Sequence, residues 1–168
     1  MRSLIGALAL LAWLQNVPEL RDNPEYQAWA AFAPGSWVEY RDAIVGEPHP
    51  PDHRTTTKLV QITPEKIVLE VLVKLRTNEK TSEFTQKVEI PAKDKVTHAS
   101  AEKGEDEVEV DGKKLKCAWE KWTIESQGKK GTKKIWLHPD VPGRLVKEEV
   151  QMEGQFDSLR RAIRWEKK

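Results

Sequence analysis

The sequence predicts a mainly β protein: a single antiparallel, strongly curved sheet or half-barrel of about eight to nine strands with a short N-terminal helix. Three observations predict it. Ile67, Leu69, Val71, Val73 and Leu75 alternate with Glu70, Lys74 and Arg76, which gives one buried face and one wet face. Turn signals such as Thr63-Pro64-Glu65-Lys66, Asp111-Gly112 and Pro142-Gly143 separate the apolar runs at hairpin spacing. No segment of crossover-helix length lies between the runs, which argues against a parallel sheet.

Taken in order, residues 1–16 form an apolar N-terminal segment. Met1-Arg2-Ser3 supplies a basic start and Leu4 to Leu14 an almost unbroken apolar run, the layout of a secretory signal and too short for a transmembrane helix. No clean small-x-small cleavage site follows the run, Leu10-Leu11-Ala12 and Ala28-Trp29-Ala30 being poor or late candidates, and no cysteine sits just after it to carry a lipid. The alternative is an ordinary N-terminal helix. The expected address is periplasmic or extracellular.

Residues 17–35 are proline-rich, and Pro24 to Phe32 reads as a short helix with proline in its first turn. The antiparallel β domain spans 36–168. Ser36–Arg41 alternates as a strand, and 42–54 reads as a loop rich in Pro and His. Thr55–Ile62, Ile67–Leu75 and a segment through Phe84, Gln86, Val88 and Ile90 follow as strands. Glu107–Val110 and Lys114–Ile124 flank the Asp111-Gly112 turn. In the second of these the apolar positions change parity, from Leu115, Cys117 and Trp119 to Trp122 and Ile124, which predicts a β-bulge near Glu120-Lys121. Lys133–His138, Arg144–Glu153 and Phe156–Trp165 complete the set.

Pro34-Gly35-Ser36-Trp37-Val38-Glu39-Tyr40, and Lys134-Ile135-Trp136-Leu137 with Val141-Pro142-Gly143-Arg144-Leu145-Val146-Lys147, resemble uncharacterised exported β-sheet proteins of planctomycete-type bacteria. The later stretch also resembles the late hairpin of the lipoprotein-carrier (LolA/LppX-like) group. That resemblance implies an unclosed β half-barrel packed on short helices, with a concave face that takes up acyl chains. The carriers' functional surface is a hydrophobic concavity rather than a residue motif, so the resemblance carries over no individual site residue.

Composition narrows the function. Twenty-eight basic and 27 acidic residues leave a formal charge of +1, so no long-range field draws the chain to nucleic acid. The single cysteine, Cys117, can form no disulfide within the chain and has no base near it in sequence, so it reads as a small buried hydrophobe. His49-Pro50-Pro51-Asp52-His53 is the one close histidine pair. Its two prolines exclude the helix that would bring both imidazoles to one metal, so no metal site is expected. There is no nucleophile elbow, phosphate loop or dinucleotide fingerprint, and neither catalysis nor a cofactor is predicted.

Acidic residues from Glu102 to Asp111 precede lysines from Lys113 to Lys134, which reads as oppositely charged facing strands. The sharper alternative is a basic patch that Arg160, Arg161 and Arg164 would extend. Seven tryptophans are many for this length. The expected function is an exported, non-enzymatic protein that binds an apolar or amphipathic ligand, a lipid or acyl chain, on Trp37, Leu69, Val71, Val73, Trp119 and Trp136. The alternative is a β-sheet interaction module, or a structural component of an envelope or larger assembly, with a protein partner.

Overall fold

The computed structural model describes residues 20–46, 51–77, 80–94, 101–154 and 157–168. Eleven strands and one helix follow in the order β1 (Arg21–Asp22), α1 (Pro24–Ala30), β2 (Trp37–Ile44), β3 (Asp52–Ile62), β4 (Lys66–Arg76), β5 (Thr81–Pro91), β6 (Lys93–Asp94), β7 (Glu102–Val110), β8 (Lys113–Ser126), β9 (Lys129–Leu137), β10 (Leu145–Met152) and β11 (Ser158–Glu166). Nine of the strands form one antiparallel sheet in the order β5-β4-β3-β2-β11-β10-β9-β8-β7, and β1 pairs with β6 in a small ribbon. Two meanders build the large sheet, one running outward from β2 to β5 and one inward from β7 to β11. They join where β11 pairs with β2, so the sheet has β5 and β7 at its edges and is not closed into a barrel.

The turns explain the pairing. Asp111-Gly112 and Gln127-Gly128 adopt positive φ at both central residues, the twist that lets a two-residue loop join strands without splaying them. Register shifts occur at Leu59/Gln61, Leu145/Lys147 and Ala162/Arg164. None occurs at Glu120-Lys121, where the sequence predicts a bulge. β8 pairs in unbroken register with β7 and then with β9. The parity change has another cause. Leu115, Cys117 and Trp119 pack on the face opposite to Glu120 and Trp122, so a single long strand serves both faces in turn.

Two further expectations are corrected. Both ends of the 42–54 segment are strand, because β2 runs on to Ile44 and β3 begins at Asp52, while residues 47–50 lie outside the described residues. His53 is therefore a strand residue, with Nε2 3.9 Å from Asp42, while His49 lies outside the described residues. The predicted helix ends at Ala30 instead of Phe32. Asn23 caps it, its side chain accepting from the Glu25 N–H at 3.0 Å.

Seven residues cannot hold a helix by themselves, and α1 is held by packing. Tyr26, Trp29 and Phe32 are buried with Val38, Leu59, Ile67, Leu69 and Ile90 of β2 to β5. Tyr26 Oη donates to the Thr63 carbonyl at 2.7 Å, and Asn23 N–H donates to Ala92 at 2.9 Å. Trp29 reaches the turn between β9 and β10: a Cβ on Gly143, whose φ is +73°, would stand 2.7 Å from its indole. The helix thus ties the β3–β5 wing to the other wing of the sheet.

Candidate functional site

The two wings and α1 border an open cleft of about 1290 Å3, larger than most ligand pockets, which commonly run ~300–1,000 Å3. Strand alternation decides what lines it. On β4 and β5, Leu69, Val71, Val73, Gln86 and Val88 point inward, and Ile135 and Leu137 of β9 and Leu145 of β10 do so from the other wing. Trp122 of β8 lines the cleft as well, and Ala28 and Trp29 of α1 form a wall. Cross-strand register sets Leu69 beside the apolar Leu59 and Val88, and Val71 beside the polar Thr57 and Gln86, so the floor is apolar with polar side chains among it.

A polar end adjoins this stripe, and its charges are matched internally. Asp42 accepts from Arg160 Nε at 2.6 Å and from Thr55 Oγ1 at 2.8 Å. Lys133 lies 2.8 Å from Glu148, and Lys103 2.8 Å from Glu120. The Arg160 guanidinium stands 5.6 Å from the centre of the Tyr40 ring. Burial pushes the Tyr40 phenol well above its ordinary range, so it stays a donor, and it donates to the Leu145 carbonyl at 3.3 Å. Desolvation likewise raises the Glu25 carboxyl, which lines the cleft from α1. A smaller hollow of about 310 Å3 shares His53, Glu148 and Arg160 with this end.

The predicted site residues divide by face. Leu69, Val71 and Val73 line the cleft. Trp37, Trp119 and Trp136 do not, because their neighbours along the strand, Glu120 beside Trp119 and Ile135 beside Trp136, are the ones that point inward. Sequence reasoning missed Tyr40, Thr55, Ile135, Leu137 and Trp122. The alternation of β4 gave a signal for Thr55 alone, through its register with β3, because the other four lie on strands that do not pair with β4.

On the opposite face the tryptophans form a ladder with lysines. Lys134 Nζ stands 4.2 Å from the centroid of the Trp119 ring and 4.4 Å from that of Trp136, and Lys147 Nζ stands 4.4 Å from that of Trp136. Trp119 lies over its cross-strand partner Gly104, where a Cβ would come within 2.5 Å of the ring. Gly104→Ala is therefore expected to cost about 1–3 kcal/mol by overpacking, read as a lower urea midpoint with unchanged m-value.

Asp106 accepts from Trp136 Nε1 and Lys134 Nζ, both at 3.3 Å. These bonds, the indole's first and the ammonium's second, hold its carboxyl below the usual carboxylate range. A lowered folded value means that the contribution is present above the unfolded pKa and fades as pH falls through the folded one. In a carboxyl NMR titration Asp106 should show a depressed midpoint, and Trp136→Phe should raise it.

The acidic β7 meets the lysine-rich β8 in cross-strand pairs, with Lys116 2.9 Å from Glu105 and Lys114 3.7 Å from Glu107. Arg160 and Arg164 are taken up by Asp42 and the buried Glu39. Cys117 is fully buried, and burial raises its thiol pKa. Among the described residues no group of three or more His, Cys, Asp or Glu side chains could hold a metal ion, and no helix is long and apolar enough to cross a membrane.

No protein-family model matches the chain, and no curated protein matches it. Among solved structures it is similar to a protein of Bacteroides fragilis described as a candidate exported protein with a YmcC-like fold. The two share 9% identity over 80% of this chain and 97% of that one, with a TM-score of 0.48.

Proposed function

We propose that this protein is an exported, non-enzymatic binder of an amphipathic ligand bearing an acyl chain. The observation that carries the reading is the cleft of about 1290 Å3, with a largely apolar floor and a polar end whose charges are paired. Leu69, Val71, Val73 and Val88 would contact the chain from one wing, and Ile135, Leu137 and Leu145 from the other. The head group would sit toward Thr55, Arg160 and Glu148. Each methylene removed from water supplies ~0.8 kcal/mol, and association costs several kcal/mol in return. A long acyl chain is thus needed for useful affinity. The signal-like layout of Met1 to Leu14 supports export, and the resemblance to lipoprotein carriers supports an acyl ligand.

Native mass spectrometry of the purified full chain, with solvent extraction of whatever accompanies it, tests this. The reading expects one adduct of lipid mass per chain, removed by extraction and regained on incubation with a long-chain fatty acid. A chain of bare mass that takes up no fatty acid would overturn it.

A further inference from the structure

The outer edge of β5 carries a second reading, independent of the cleft ligand. β5 ends the sheet, and no described strand pairs with its outer side. Most of its side chains are exposed, and Phe84, at 59% exposure, is the most exposed of the large hydrophobic residues among those described. A long open edge of this kind is a template for another strand unless it is blunted.

The charges facing away from the cleft show which strand fits. Lys58, Glu70 and Lys87 lie in register across β3, β4 and β5, and beside them Arg54, Lys74 and Glu83 form a second row. Lys74 Nζ and Glu83 are 2.8 Å apart. A tenth strand would continue these rows with an acid opposite Lys87 and a base opposite Glu83. β5 itself, turned antiparallel about a two-fold axis at Thr85, supplies both: Glu83 of each copy faces Lys87 of the other.

Paired residues must share a face of the sheet, so the axis of such a pair has to pass through a residue position. Moving it to Gln86 sets Glu83 against Glu89, and moving it to Lys87 sets that lysine against itself. At Phe84 no opposite charges meet, and an axis at Val88, which sets Lys87 against Glu89, overlaps only residues 85–91 of the strand, against 81–89 about Thr85. The register at Thr85 also places the two Phe84 rings on a diagonal, ~7–8 Å apart and within reach of each other.

We propose that β5 is the interface between two copies of this chain, paired antiparallel about Thr85 with Glu83 facing Lys87 across the axis. Isologous pairing of one edge closes the assembly at two, because each copy uses its own β5. The contact is small, so the dimer belongs to the weak class.

Sedimentation of the full chain at concentrations up to on the order of 100 µM should show a monomer–dimer equilibrium. Glu83→Lys and Lys87→Glu each turn two attractive pairs into two repulsive ones and should weaken it at least about tenfold. An equimolar mixture of these two variants restores both attractive pairs and should dimerise again. Phe84→Ala, at an exposed position, should weaken the dimer while leaving the circular dichroism spectrum unchanged. A wild-type chain that stays monomeric would overturn the proposal. So would a dimer indifferent to these substitutions, or a mixture that fails to recover.

Discussion

A Trp29→Ala variant is expected to lose about 3–5 kcal/mol of stability, a large part of the ~5–15 kcal/mol that a folded domain commonly has. Trp29 is 4% exposed and joins two parts of the chain far apart in sequence. One side of it belongs to the core that α1 makes with β2 to β5, and its indole lies on Gly143 in the turn between β9 and β10. Truncation would leave a cavity that neither side can collapse into, since Gly143 sits in a turn with the buried Val141 and Pro142. It would also remove one wall of the cleft. Chemical denaturation should therefore show a large fall in midpoint, and hydrogen exchange should show α1 opening ahead of the sheet. Gly143→Ala probes the same contact from the other side. Its new Cβ would meet the indole at 2.7 Å, and the positive φ adds strain.

The second large effect concerns binding. Val71 stands near the middle of β4 on the cleft floor, half-buried and flanked across the strands by Thr57 and Gln86. Val71→Glu would put a carboxylate against the apolar part of a bound amphiphile. Desolvating a polar group without a partner costs about 1–3 kcal/mol in proteins, so affinity for an acyl chain should fall roughly 10–100-fold. Water already reaches this position from the open cleft, and the fold should tolerate the change. A neighbouring substitution on the opposite face, Leu72→Thr, should leave binding unchanged, because Leu72 pairs with Thr56 and Thr85 away from the cleft.

Sequence legibility followed exposure. β4 could be read residue by residue, because one of its faces packs against the core and cleft while the other carries Glu70 and Lys74. β8 misled, because its two halves are covered on opposite faces. A change of parity then looks the same as an inserted residue until the register with β7 and β9 is known. The tryptophans raised a similar ambiguity. Trp119 and Trp136 are large and apolar, which fits a ligand wall equally well, but alternation turns them to the face where Lys134 and Lys147 cover their rings.

The cleft itself was legible only in part. Leu69, Val71 and Val73 follow from a single strand. Tyr40, Thr55 and Arg160 meet through the pairing of β2 with β3 and β11, across more than a hundred residues of chain. No local pattern announces such a pairing. The charge rows behind the dimer proposal are also a product of register, since Glu83 and Lys87 read alone are ordinary exposed strand residues.

The most direct test is an equilibrium titration of the purified, delipidated full chain with a fluorescent long-chain fatty acid, run in parallel on the Val71→Glu and Leu72→Thr variants. The cleft reading predicts saturable binding of one probe per chain, displaced by unlabelled fatty acid, weakened roughly 10–100-fold by Val71→Glu and unaffected by Leu72→Thr. Absence of saturable uptake by the wild-type chain, or uptake that Val71→Glu leaves unchanged, would contradict it.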